Sequence, residues 1–142
     1  MSKDQYLNGK RYGEYIRDET LRVGKKEDDH VGLGLWTAHS VYDNGEVAMT
    51  SGVNFFDGRK GRAFHGFEIT TFKDGSTIVA SYKGTIDKRD ESAGTYSSSD
   101  MKWEVLSATG RMVGLKGGGV SKGEGVGNRF TVEFSGKAAK SK

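Results

Sequence analysis

Apolar and polar residues alternate with a period of two along most of the chain after Val31, which predicts β-strands with one face in a core. No helical periodicity extends beyond the brief segment Thr109–Leu115. Arg11–Arg17 is a further possible strand, so the pattern predicts seven or eight strands. Seven stretches carry the alternation most clearly: Val31–Tyr42, Glu46–Phe56, Arg62–Phe72, Thr77–Asp87, Gly94–Leu106, Val120–Gly123 and Arg129–Gly136.

Short glycine turns join these strands in chain order. Asn44-Gly45 and Asp74-Gly75 are strong hairpin signals, because both residues of such pairs tolerate the positive φ of a type I′ turn. A meander of about eight strands can close on itself, which removes exposed edges and leaves an interior just able to hold one small ligand. We therefore predict an all-β fold, an antiparallel up-and-down β-barrel over residues 31–136. Residues 1–30 are predicted to be an N-terminal extension and residues 137–142 a basic tail.

Composition narrows the possible functions. The chain has 142 residues, enough for one domain, with a net charge of +3 and no cysteine, which excludes disulfides and thiol chemistry. No basic patch with interleaved aromatic residues suggests nucleic-acid binding, and no apolar run has the roughly 18 residues of a membrane helix. The first residues contain no apolar leader segment, so we expect a cytoplasmic protein.

Several predicted strands are apolar on both faces. In Arg62–Phe72, Phe67 and Ile69 share one face while Phe64 and Phe72 share the other. A lone barrel in water needs one polar face, so the second apolar face predicts a cover. We expect a homo-oligomer, a dimer or a trimer.

Glu68 and His65 are the candidate acid–base residues. Glu68 lies mid-strand among aromatic residues, where a buried carboxylate could exchange protons with a substrate, and a histidine in a barrel could do the same. The alternatives are an ordinary surface glutamate and a hydrogen-bonded core histidine. The two residues have opposite parity, so a regular strand points only one of them inward, unless Gly66 hosts a bulge. The three histidines show no ligand spacing, and no metal site is predicted.

Large side chains on the other strands are candidates for a ligand-binding wall. In a hollow barrel they would line the cavity and offer single hydrogen bonds, and in a filled barrel they would be core. The candidates are Trp36, His39, Tyr82, Met101 and Trp103.

A glycine-rich segment late in the chain carries a resemblance to a known family. Thr109-Gly110-Arg111 is followed by Gly114, Gly117 and Gly119, after Gly94-Thr95-Tyr96 and before the strand Arg129–Phe134. This order resembles the allene oxide cyclase-like and dirigent-like β-barrels, mainly over residues 94–136. The resemblance implies a calycin-like barrel, oligomerisation, and ring closure or isomerisation of a confined substrate.

The combined expectation is an isomerase, cyclase or lyase that acts on a small hydrophobic, oxygenated substrate inside the barrel without a cofactor. The alternative is a non-catalytic barrel that binds or carries a lipid-like molecule. A third possibility is a barrel with a filled interior and a structural or protein-binding role.

Overall fold

Ten β-strands and two 3₁₀ turns form the part of the chain that the structure, a computed structural model, describes, residues 4–140. The 3₁₀ turns are Gly58–Lys60 and Gly110–Met112. No helix in this range is long and apolar enough to cross a membrane. The strands are β1 (Asp4–Tyr6), β2 (Gly9–Arg22), β3 (His30–Tyr42), β4 (Val47–Asp57), β5 (Ala63–Thr71), β6 (Thr77–Thr85), β7 (Lys88–Asp90), β8 (Thr95–Ala108), β9 (Leu115–Val126) and β10 (Arg129–Lys140).

The strands form a closed antiparallel barrel of eight strands, which confirms the predicted up-and-down barrel. The ring runs β2-β3-β4-β5-β6-β8-β9-β10, and β10 pairs with β2 to close it. The two short strands, β1 and β7, add to the sheet beyond the ends of β2 and β6. β1 pairs with β10 beyond the start of β2, and β7 pairs with β8 beyond the end of β6.

The barrel includes more residues at both ends of the chain than the sequence predicted. β2 is a full barrel strand between β10 and β3, so most of residues 1–30 belong to the barrel and are not an extension. Its inward face carries Gly9, Arg11, Gly13 and Tyr15, and this small or polar face hid the apolar alternation. β10 continues the sheet to Lys140, so only residues 141–142 of the predicted tail lie outside the described residues, as do residues 1–3.

Hairpin turns close one end of the barrel. Gly45 and Gly75 adopt φ values of +89° and +88° at the predicted Asn-Gly and Asp-Gly turns. Arg111 reaches across this end to form ion pairs with Asp74 and Glu46, and its guanidinium lies 4.8 Å from the centroid of the Phe72 ring. The Thr-Gly-Arg segment thus fastens three loops together at the closed end.

An apolar core fills the same end. Its side chains come from six strands, from Phe72 just after β5, from the Leu7 segment and from the 3₁₀ turn that carries Met112. The buried cluster comprises Leu7, Tyr42, Ala48, Phe72, Ile78, Val105, Met112, Leu115, Phe134 and Ala138. Burial of this kind contributes roughly 1.5 to 3 kcal/mol for each large side chain. The closed end therefore anchors the barrel, and the opposite half is free to hold a cavity.

Candidate functional site

A cavity of about 100 Å³ lies inside the half of the barrel opposite the apolar core. Aromatic and aliphatic side chains from six strands and the loop after β6 form its wall. These wall residues are Tyr15, Trp36, Phe64, Tyr82, Ile86, Tyr96, Met101 and Phe130. Three charged residues also belong to the lining: Arg11 and Glu68, which are buried, and Glu124, which is exposed on β9. We call this space the lumen cavity.

Arg11 and Glu68 form a buried ion pair. Nη1 of Arg11 lies 2.6 Å from Oε2 of Glu68, and the two side chains are only 11% and 9% exposed. The contact is not aligned as a hydrogen bond, because no N–H in the structure points at this oxygen within hydrogen-bond geometry. An ionised carboxylate can accept about four hydrogen bonds. Glu68 therefore balances the charge of Arg11 and keeps capacity to accept a proton or a hydrogen bond.

A polar layer separates the ion pair from the apolar core. Nε of Arg11 donates to Oγ of Ser40 at 2.9 Å. Hydroxyl contacts of 2.7 Å and 2.9 Å then connect Ser40 to Thr50 and Thr50 to Thr70. The guanidinium also packs over aromatic rings, 5.8 Å from the Trp36 centroid and 5.0 Å from that of Phe134. These contacts hold Arg11 in one position, so the charge that faces Glu68 is fixed.

Trp36 and Tyr82 form one side of the wall. Nε1 of Trp36 donates to the Tyr82 hydroxyl at 3.1 Å, and that hydroxyl lies within donating distance of two oxygens, Asn54 Oδ1 at 3.1 Å and the Val53 carbonyl at 3.2 Å. Burial raises the pKa of Tyr82 above its ordinary value, so its hydroxyl stays protonated at neutral pH. Gly66 makes room for this side chain, because a Cβ there would collide with the Tyr82 ring.

The lumen cavity adjoins a wider recess at the open end of the barrel. This recess has a volume of about 540 Å³ and shares Tyr15, Asn54, Phe64 and Tyr96 with the lumen cavity. Charged or titratable side chains also line it: Asp18, Asp28, His30, Arg62, Arg89 and Glu91. The lumen cavity therefore borders a polar mouth at the open end of the barrel.

Tyr96 lies where the cavity meets the recess. Its hydroxyl is buried and has no hydrogen-bond partner in the structure. Burial raises its pKa, and the carboxylate of Asp18 raises it further. Burial likewise raises the pKa of Tyr15. The tyrosine hydroxyls are therefore neutral. Among residues 4–140, Arg11 and Glu68 are the buried charged residues in the lining, and we call the part of the cavity beside them its inner end.

The structure brings together four of the predicted site residues. Glu68, Trp36, Tyr82 and Met101 all line the lumen cavity. Trp103 points to the same interior, but its ring packs against the apolar core and against Gly136.

Both histidines proposed for the site lie on the outer surface. His65 is exposed and stacks on Phe55, with ring centroids 5.5 Å apart. His39 is exposed on β3, opposite in parity to the inward Trp36. β5 pairs with both neighbours in an unbroken register through Gly66, so no bulge turns His65 inward. The prediction that His65 and His39 face the interior is therefore wrong, and of the two acid–base candidates Glu68 is the one that lines the lumen cavity.

Sequence reasoning missed several lining residues. Arg11 and Tyr15 lie on β2, whose pattern was too polar to be recognised as a full barrel strand. In the structure Gly9, Arg11, Gly13 and Tyr15 face inward and alternate with exposed residues, but the outward face includes Tyr12, so hydropathy does not separate the two faces. Tyr96 was hidden in a segment that a register shift between Ser98 and Met101 interrupts.

No family model and no curated protein matches the chain. Within residues 4–140 no group of three or more His, Asp or Glu side chains is arranged to hold a metal ion. We therefore interpret the site from its own geometry.

Proposed function

We propose that this protein is a cofactor-independent acid–base enzyme, an isomerase, cyclase or lyase, that acts on a small hydrophobic and oxygenated substrate inside the barrel. One observation carries the proposal: the carboxylate of Glu68 lines an aromatic cavity, is fixed beside Arg11, and has no aligned hydrogen-bond donor at Oε2. Buried charges that are incompletely satisfied cost stability, and they concentrate at functional sites. The resemblance to allene oxide cyclase-like barrels agrees with this class of reaction.

The arrangement suits proton transfer next to a carbonyl. A bound ketone would lose an α-proton to the Glu68 carboxylate, and the C–H electron pair would become the enolate. The guanidinium of Arg11 would stabilise the negative enolate oxygen. Return of the proton from Glu68 to a different carbon would give the isomer. Alternatively, attack of the enolate carbon on a second carbonyl carbon of the same molecule would close a ring; the C=O π pair would move to that oxygen, and Glu68 would return its proton to the resulting alkoxide. The aromatic wall would hold the substrate in one conformer and exclude water.

A carrier function for a lipid-like molecule is the alternative, and the cavity supports it less well. A volume of about 100 Å³ is smaller than the roughly 150 Å³ of an engineered cavity that holds benzene. An acyl chain would therefore lie mostly in the recess, whose lining includes the charged residues Asp18, Asp28, Arg62, Arg89 and Glu91. An ion pair at the inner end is also costly to bury in a site that only needs to solvate hydrocarbon.

Deuterium exchange of cyclopentanone in D₂O, followed by NMR, tests the proposed function. The wild type should exchange the α-hydrogens faster than buffer does, and Glu68→Gln, which keeps the shape of the side chain, should lose roughly 100-fold or more of that acceleration. Glu104→Gln, an exposed change on β8, is the matched control and should leave the rate unchanged. Equal rates for the wild type and Glu68→Gln would remove Glu68 as the base and favour the carrier function.

Native mass spectrometry of protein from its own host gives an independent test. A molecule released on denaturation would identify the substrate class, and the native mass would give the number of subunits. A bound acyl lipid of high occupancy would support the carrier alternative instead.

We further propose that the enzyme is a homo-oligomer. The outer faces of β3, β4 and β5 carry Leu35, Met49, Phe67 and Ile69, each at least about a third exposed. Leu35, Val53 and Phe67 lie side by side in the register of these strands, which makes one continuous apolar surface. We propose that a second copy of the chain covers this apolar surface. Phe67→Ser should then weaken the assembly and lower the sedimentation coefficient. A monomeric wild type at micromolar concentration would refute this.

A cytoplasmic location remains a prediction from the sequence.

A further inference from the structure

The lumen cavity has a charge balance that restricts its ligand. Arg11 and Glu68 neutralise each other, and the tyrosine hydroxyls around them are held protonated by burial. A ligand carboxylate at the inner end would bring a second anion beside Glu68, while a ligand ammonium would bring a second cation beside Arg11. A buried charge without its own partner is strongly disfavoured. The inner end therefore accepts a neutral group.

The ion pair offers a ligand an acceptor on Glu68 and donors on the Nη groups of Arg11, whose Nε is engaged by Ser40, so a hydroxyl group can use both. Glu68, once ionised, has no proton to donate, and Oε2 receives no aligned hydrogen bond. The Tyr82 hydroxyl is already engaged by Trp36 and Asn54. A ligand group that donates an O–H to Glu68 would satisfy this carboxylate, and hydrogen bonds to charged groups are among the strong ones.

Size sets a second restriction. A water molecule occupies about 30 Å³ in the liquid, so a cavity of about 100 Å³ admits only a few non-hydrogen atoms. The aromatic wall is continuous into the recess through Tyr15, Phe64 and Tyr96. A ligand could therefore place a small polar end against Glu68 and a flat ring between these side chains. The buried, unpartnered hydroxyl of Tyr96 would then lie near the outer edge of the ring.

We infer that the ligand of this cavity is a neutral alcohol, which inserts a hydroxyl group on a single ring and donates its hydrogen bond to Glu68, and that carboxylic acids are excluded. The inference rests on the proposed function, because both concern a ligand of the lumen cavity. It narrows an oxygenated hydrophobic substrate to one in which a hydroxyl, rather than a carboxylate, reaches the inner end.

Three probes with the same ring test the inference: benzyl alcohol, toluene and benzoate. Each is titrated into wild-type protein, and the indole N–H resonance of Trp36 reports binding inside the barrel, since Trp36 lines the cavity. Benzyl alcohol should bind about tenfold or more tightly than toluene, because only the alcohol donates to Glu68. Benzoate should bind at least tenfold more weakly than benzyl alcohol. Equal affinity of toluene and benzyl alcohol, tighter binding of benzoate, or no binding of any probe within its solubility would overturn the inference.

A variant sharpens the test by reversing the order. In Glu68→Gln the charge of Arg11 has no partner, so benzoate should become the tightest of the three probes. Glu104→Gln, whose side chain is exposed on β8, should keep the wild-type order. Circular dichroism shows whether Glu68→Gln is folded at the temperature used. If the variant is unfolded, the order of the three affinities in the wild type still tests the inference. An unchanged order in folded Glu68→Gln would show that another group selects the ligand.

The failure of this inference differs from the failure of the proposed function. If the alcohol is preferred but cyclopentanone exchange is not accelerated, the ligand class stands and the acid–base function falls. If exchange depends on Glu68 but benzoate binds more tightly than benzyl alcohol, the function stands and the ligand class falls.

Discussion

Breaking the Arg11–Glu68 pair should cost more stability than any exposed ion pair of this protein. Both side chains are about nine-tenths buried, and their nearest atoms are 2.6 Å apart. Removing one partner of a buried pair leaves the other charge without compensation, which costs about 3 to 5 kcal/mol. For Glu68→Gln we expect about 3 kcal/mol, the lower end, because the adjoining lumen cavity can admit water to Arg11.

Arg11→Met should cost more, about 4 to 5 kcal/mol, since it also removes the hydrogen bond to Ser40 and the packing on Phe134. The double variant Arg11→Met, Glu68→Gln removes both charges. It should therefore be more stable than the sum of the two single losses implies, by roughly 2 kcal/mol or more.

Urea unfolding of the four proteins, followed by tryptophan fluorescence, measures these free energies and completes a double-mutant cycle. The exposed Glu104→Gln is the control and should change the free energy of unfolding by less than about 0.5 kcal/mol. A loss below about 1 kcal/mol for Glu68→Gln, or strictly additive single losses, would contradict a dry, coupled pair. The inner end of the cavity would then be solvated, and the argument for a neutral ligand would fail with it.

Three further predictions concern the interior of the barrel. Burial raises the pKa of Tyr42 to about 12, so the unfolded chain loses this proton first, near pH 10. The free energy of unfolding should therefore fall by roughly 2 to 3 kcal/mol between about pH 10 and 12. Tyr42→Phe should remove that part of the loss, as measured by urea titrations at several alkaline pH values. Gly136→Ala would force a Cβ into the Trp103 ring and should destabilise the barrel by roughly 1 to 3 kcal/mol in thermal unfolding, and wild-type stability would disprove the contact. Tyr82→Phe leaves the buried indole N–H of Trp36 without its acceptor and should cost roughly 1 to 2 kcal/mol, with a shift of the Trp36 indole N–H resonance; an unmoved resonance would contradict the hydrogen bond.

The fold could be predicted from the sequence where the interior face is apolar, and could not where it is small or charged. β3 has Trp36, Ala38 and Tyr42 inside, and its alternation identifies a strand and its inward face at once. β2 directs glycines and Arg11 inward, so its hydropathy resembles a solvated segment. Strand periodicity identifies a strand only where one of its faces is apolar. The interior face of a functional barrel need not be apolar, and such a strand is then missed.

The candidate site shows the same limit. Parity restricted Glu68 and His65 to opposite faces, but it could not say which face was inside, since Phe64 and Phe67 are equally apolar. The partner of Glu68 is Arg11, 57 positions earlier in the chain and on a strand that is not its neighbour in the ring. Only closure of the barrel brings them together, and no local pattern encodes that distance.

The ring is closed by pairing between β2 and β10, where the amide of Gly136 bonds the side chain of Asn8 across 128 positions of sequence. β2 leaves the ribosome long before β10, so the ring cannot close until β10 has been synthesised, and until then β2 lacks its partner on that edge. Loop-closure entropy makes such a distant pairing slow. Arg11, on β2, packs on Phe134 of β10, so the lumen cavity is also incomplete until the two strands pair. A ligand could therefore not assist the early stages of folding, and any chaperone that protects this protein would have to act on the open sheet.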